Sequence, residues 1–257
     1  MPAAALGLAL GAACVHAVWN LLLAGARDSQ AATAVGMCVG CVVFLPSLLG
    51  HVSADAVPWL VASSALELLY FSLLAFAYSR AELSAVYPLA RGSAPVFVLA
   101  VAGVPLVWQA VGVVLVALGV VLVRGGGGSL LALAVGACIA GYTLVDKEGQ
   151  KHADPLPYLE LVLVVPALAY AGWIGRRRLQ TAFGWRPALA GLGMFGAYGL
   201  TLAALRLTAA APVAAVRETS IVIATLLGAL VLHEAVGRAR LAGSLVIVAG
   251  VTAIALA

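Results

Sequence analysis

Arg91 and Arg217 each fall near the middle of an apolar run long enough to cross a bilayer, Leu83 to Ala102 and Ala209 to Leu232. An ionised side chain in hydrocarbon costs at least about 2.5–3.5 kcal/mol on insertion scales, so it persists where it faces a cavity, a partner or a ligand. Guanidinium groups match carboxylate and phosphoryl oxygens bidentately. Two of them at matched depth therefore point to a binding site for a small solute that carries such an oxyanion.

The neighbours of these arginines extend the candidate site. Ser84, Tyr87, Pro88, Arg91 and Pro95 recur at spacings of three and four, so they share one face of a helix. The prolines remove backbone donors and are expected to kink it near the midplane. Arg91 either lines a cavity there or ties helices together through Glu67 or Glu160. Val213, Arg217, Ser220 and Ala224 share a face of the later run, while Glu218 lies about 100 degrees round from Arg217. This predicts Arg217 and Ser220 inward, with Glu218 a structural partner or a proton carrier. His16, Trp19 and Asn20 form a further i, i+3, i+4 patch, which is either packing or cavity wall. Glu67, central in its own apolar run, is the best acidic candidate for proton coupling, or else a fixed partner of an arginine. Tyr142 and Thr143 are possible further cavity contacts. Glu160 is expected near a membrane edge, within reach of water. Asp146, Lys147, Glu148, Lys151, His152 and Asp154 read as a solvated loop, and Glu234 as a cap or as a partner of Arg238 at a helix junction.

Other chemistries find no residues to carry them. The chain has no H-E-x-x-H, Walker A, G-x-S-x-G or paired-aspartate pattern, so an enzyme is not expected, and no cofactor is implied. Cys14, Cys38, Cys41 and Cys138 all lie in apolar runs. Although Cys38 and Cys41 have C-x-x-C spacing, a lone thiol pair supplies half a tetrahedral shell, and the expectation is packing without a metal.

The elements that must hold these residues follow from composition. Of the 257 residues 64% are hydrophobic and 9% charged, with mean hydropathy +1.13, against about 25% charged in a soluble globule. The chain is expected to be an all-α integral membrane protein, since barrel strands are shorter and alternate in polarity. Ten transmembrane helices are predicted, at 3–24, 31–49, 57–79, 83–102, 105–123, 129–146, 156–174, 187–207, 209–232 and 239–257. The first lacks a basic start and reads as a retained helix, not a cleaved signal.

Displacing the sequence by 126 residues sets Leu74 on Leu200, Ala77 on Ala203, Arg80 on Arg206, Ala85 on Ala211 and Arg91 on Arg217. After a small gap, Gly112 and Gly119 match Gly243 and Gly250. The halves are predicted to be 1–124 and 129–257, joined by a glycine linker at 125–128. Five helices per half is an odd number, so the second half enters the membrane from the opposite side. The expected architecture is two inverted five-helix repeats, with a site near the midplane between them and alternating access as the means of transport.

His16-Ala-Val-Trp19-Asn20, Tyr87-Pro88-Leu-Ala-Arg91-Gly-Ser, Arg217-Glu218-Thr-Ser220 and Leu232-His-Glu234 followed by Gly243 and Gly250, in ten helices, resemble the EamA-type branch of the drug/metabolite transporter superfamily over the whole chain. The resemblance implies a ten-helix transporter and associates it with export of amino acids, metabolites or drugs. The sequence departs from the pattern between the fourth and fifth helices, where an acid equivalent to Glu234 is absent.

Combining the residues with the resemblance, the expected function is secondary transport of a small polar, anionic or zwitterionic metabolite across a bacterial inner membrane. The protein would export or exchange this solute, act alone or as a weak homodimer, and engage the lipid bilayer and protons but no nucleic acid. The alternatives are a lipophilic cation exporter, which the arginines oppose, and a non-transporting accessory subunit. Arg27, Arg80, Arg124, Arg176, Arg177, Arg178, Arg186, Arg238 and Arg240 lie on one side, against Lys147, Lys151 and Arg206 on the other. The positive-inside rule then puts both termini in the periplasm, whereas the resemblance implies cytoplasmic termini.

Overall fold

The computed structural model describes the backbone of all residues except Gly25, 79–82, 103–105, 125–129, 232–236 and Ala257, and also leaves out the side chains of 24, 29, 74–78, 83–89, 102, 123–124, 225, 228–229, 240 and 255–256. The linker at 125–128, Arg80, Glu234 and the side chains of Ser84 and Tyr87 therefore lie outside the described residues.

The apolar runs fold as helices. In order these are α1 (Ala3–Ala24), α2 (Ser29–Phe44), α3 (Val57–Tyr78), α4 (Leu83–Ala102), α5 (Val107–Arg124), α6 (Leu130–Gly149), α7 (Pro155–Ile174), α8 (Arg176–Ala182), α9 (Trp185–Leu207), α10 (Ala210–Arg217), α11 (Thr219–Val231) and α12 (Arg238–Leu256). Among the described residues, six spans are long and apolar enough to cross a membrane: Ala3–Leu23, Gln30–Leu49, Ala54–Leu73, Leu130–Gly149, Pro155–Ile174 and Trp185–Leu207. Shorter apolar stretches cover Ala90–Val101, Val107–Leu122 and Leu241–Ile254. Large apolar side chains such as Val101, Leu168 and Leu230 stand exposed on the outside, which water penalises and lipid accepts.

The second expected span, 31–49, is α-helical to Phe44 and continues as a 3-10 helix over Leu45–Leu49, and three further elements depart from expectation. The ninth is not one helix: α10 ends at Arg217, and Glu218 adopts φ −69° and ψ −11°, its N–H bonding back to Ala215 O at 3.1 Å in a tight turn before α11 begins. The sixth continues three residues further than predicted, to Gly149, so that Asp146 belongs to a helix and not to a loop. A short helix, α8, follows α7 through Gly175, whose φ of 81° only glycine adopts without strain.

Packing brings distant helices side by side: α1 lies along α9, α3 along α6 and α5 along α12, with α4 against α5 and α6, and α2 against α7 and α9. Glycines set the closest approaches. A Cβ on Gly112 would stand 2.6 Å from Gly250 O, and one on Gly119 would stand 2.6 Å from Gly243 O. The partner number falls as the α5 number rises, so α5 and α12 run antiparallel.

Both ends of the bundle are clasped. At one, Asp28 caps α2 by accepting from Ala31 N and takes a two-point grip from Arg178 of α8, at 2.8 and 3.0 Å. That guanidinium holds the Asp28 carboxyl below its ordinary range. At the other, Val52 and Ala153 form an antiparallel bridge, and Asp154 accepts from His51 N and pairs with Arg206 at 3.3 Å.

Candidate functional site

A cavity of about 100 Å³ lies inside the bundle. That space is room for several water molecules. Its walls carry His16 and Trp19 from α1, Glu67 and Tyr70 from α3, Arg91 from α4, Tyr142 from α6, Tyr198 from α9 and Arg217 from α10. Six expected site residues are thus gathered into one cavity: His16, Trp19, Glu67, Arg91, Tyr142 and Arg217.

The two arginines are electrostatically unlike. Arg91 is 3% exposed, and its guanidinium stands 3.3 Å from Glu218 Oε1, with both side chains buried. The ion pair anchors α4 to the break between α10 and α11; neither Glu67 nor Glu160 is its partner. Arg217, half-buried on the cavity wall, makes no ion pair among the described residues. Its charge acts across the cavity wall on the Glu67, Asp146 and Glu218 carboxyls without a direct ion pair to any of them. The break beside it is one residue long, and the backbone stays bonded across it, Glu218 N–H to Ala215 O and Ile221 N–H to Glu218 O.

The remaining expected residues sit elsewhere. Ser220 is 2% exposed and does not line the cavity, because the interruption at Glu218 shifts the phase that a continuous helix would have kept between positions 217 and 220. Asn20 turns its amide back to His16 O at 2.9 Å, within its own helix, while the His16 and Trp19 rings meet edge to face at 4.7 Å. Thr143 donates to Ile139 O. Glu160, expected near water, is 2% exposed on α7.

Two residues, one on the cavity wall and one behind it, were not anticipated. Tyr198 had no motif to mark it. Asp146, expected in solvent, is fully buried and accepts from three hydroxyls: Ser63 Oγ of α3 at 2.6 Å, Tyr158 OH of α7 at 3.2 Å and Tyr198 OH of α9. Gly149 leaves room for the Tyr158 ring, which occupies the place where a Cβ would project. Lys147, adjacent in sequence, points away and donates to the carbonyls of Leu205 and Thr208 at the C-terminal end of α9.

No curated protein matches the sequence. A solved structure described only as the crystal structure of a protein superposes with a TM-score of 0.72 at 17% identity, covering 100% of this chain and 99% of its own, which makes the fold a shared one. The sequence profile of the EamA-like transporter family matches residues 126–256, the stretch that holds α6 to α12 and with them Tyr142, Tyr198 and Arg217. That match takes in more than half of a chain whose apolar helices enclose a charged cavity, and the protein belongs to the EamA-like transporters, multi-pass membrane proteins of the drug/metabolite transporter superfamily.

Proposed function

We propose that the protein is a secondary transporter that exports or exchanges a small anionic or zwitterionic metabolite across a bacterial inner membrane. The carrying observation is Arg217: a guanidinium on the wall of an internal cavity with no ion-pair partner among the described residues, while Arg91 is neutralised by Glu218. A half-buried guanidinium on a cavity wall, not held by a direct ion pair, is free to receive an oxyanion that comes and goes. His16, Trp19, Tyr142 and Arg91 complete the wall of the proposed substrate site.

The architecture that would move this solute is a pair of inverted repeats, 1–124 and 129–257, rocking about the cavity. The antiparallel α5 and α12 support it: Gly112 packs on Gly250 and Gly119 on Gly243, so each glycine meets the repeat mate of the other, the repeat setting Gly112 on Gly243 and Gly119 on Gly250. The family match beginning at residue 126 supports a boundary near the glycine run. The termini are assigned to the periplasm by the excess of arginine on the opposite loops. Glu67, which makes no ion pair among the described residues, is the proposed proton carrier, with Glu218 released for that role when Arg91 engages solute.

A thermal-shift screen of carboxylates, phosphorylated metabolites and zwitterions on the purified protein tests the reading, because a ligand that binds the folded state raises its melting temperature. At least one oxyanion is expected to stabilise the parent and not Arg217→Ala. Stabilisation only by cations lacking an oxyanion would overturn it.

A further inference from the structure

The cations at the two ends of the bundle are engaged differently. At the end that carries Val52 and Ala153, Lys151 pairs with Glu148 at 2.6 Å, Arg206 pairs with Asp154 at 3.3 Å, and Lys147 donates to the carbonyls that close α9. At the opposite end Asp28 is the one acid among the described residues, and Arg178 takes it. The exposed side chains of Arg27, Arg176, Arg177 and Arg186 make no ion pair among the described residues. Positive charge is therefore balanced at one end and left over at the other.

The leftover charge is held on a built surface. Leu179 and Ala182, three residues apart on α8, pack against the core and fix the helix, which leaves Arg176, Arg177 and Gln180 exposed. The grip of Arg178 on Asp28 draws the loop that carries Arg27 against the same helix. Just beyond α8, Phe183 and Trp185 stand 74% and 64% exposed, and the Arg186 guanidinium lies 5.3 Å from the centroid of the Trp185 ring. Both α7 and α9 are long and apolar enough to cross a membrane, so α8, between Ile174 and Trp185, lies where one span leaves the bilayer and the next enters it. That is the level of the lipid headgroups, where aromatic rings are favoured. Guanidinium forks match phosphate oxygens. A dissolved anion would satisfy the arginines but would offer Phe183 and Trp185 nothing apolar to lie on.

We propose that α8 and its flanks form a binding surface for anionic phospholipids, with Arg27, Arg176, Arg177 and Arg186 on the headgroup phosphates and Phe183 and Trp185 at the edge of the acyl chains. A zwitterionic headgroup brings its own cation to the phosphate, whereas a headgroup of net negative charge needs one from the protein. Each arginine near such a surface is worth roughly fivefold in affinity. The surface is separate from the cavity, and its occupation does not depend on which solute the cavity holds.

The test titrates full-length protein in detergent micelles with phosphatidylglycerol and with phosphatidylcholine of the same acyl chains, and reads bound lipid by native mass spectrometry. The parent is expected to bind phosphatidylglycerol roughly tenfold or more tightly than phosphatidylcholine, and added salt should shrink that ratio. In Arg176→Gln/Arg177→Gln the ratio should fall by roughly fivefold or more. Lys151→Gln/Arg206→Gln removes as many charges from the opposite end and should keep it. Melting temperatures establish that both variants fold; should the first fail to, Arg186→Gln carries the comparison. A ratio near one in the parent overturns the proposal, as does an unchanged ratio in Arg176→Gln/Arg177→Gln. An equal fall in both double variants overturns it too, since net charge and not this surface would then set the preference. Displacement of phosphatidylglycerol by an equal concentration of glycerol 3-phosphate would make the surface a site for dissolved phosphate and overturn its assignment to lipid.

Discussion

Arg91 and Arg217 occupy equivalent places in the repeated sequence, but among the described residues only Arg91 forms an ion pair with a carboxylate. Removing one member of a buried ion pair leaves the other charged and unsolvated, which costs about 3–5 kcal/mol. Arg91→Ala is therefore expected to lower the melting temperature sharply, and Glu218→Gln added to it should restore most of the loss; equal damage by the single and double variants in a melting experiment would mean that the pair is not what holds α4 to the break. The importance of the arginines was legible in the sequence because a charge in an apolar run is conspicuous whatever its partner. The identity of that partner was not, since Glu218 is adjacent to Arg217 in the chain and meets Arg91 only through the packing of α10 on α4. Asp146 and Tyr198 were illegible for the same reason. An aspartate next to Lys147 and Glu148 near a helix end looks solvated until α3, α7 and α9 deliver their hydroxyls to it.

Among the elements, the long helices could be read from the sequence to within a few residues, because uninterrupted apolar runs bounded by charged or glycine-rich stretches have few alternatives in a bilayer. The break at Glu218 could not: no glycine or proline marks it, and a glutamate at that position is compatible with a continuing helix. The pairing of α5 with α12 rests on backbone contact that no side chain can enter. Gly250→Ala should thus destabilise by about 1–3 kcal/mol, the usual cost of forcing a methyl group into a packed interface. Gly172→Ala, where a Cβ would meet nothing within 4 Å, should be close to neutral. Comparable melting temperatures for the two variants would show that α5 and α12 separate easily and do not form the fixed seam of the bundle.

For the bundle as a whole, the proposed transport means carrying a solute past a charged centre and drawing on an ion gradient. The sequence has no nucleotide-binding motif, and the coupling proposed above is a proton exchanged at Glu67. An imposed pH gradient should drive accumulation by the parent in proteoliposomes, whereas Glu67→Gln should lose accumulation yet still exchange labelled solute; equal accumulation by both would remove Glu67 from coupling. Orientation is open to an equally plain test: a reporter fused after Ala257 should behave as periplasmic, and cytoplasmic activity would reverse the topology without altering the repeat. The most direct measurement of the central claim, that Arg217 binds the transported solute in an internal cavity, is uptake into proteoliposomes of the solute that most stabilises the parent. The parent should fill the vesicles well above protein-free controls and Arg217→Ala, folded and reconstituted to the same density, should not; equal uptake by the two proteins, or no uptake above the protein-free vesicles, would contradict it.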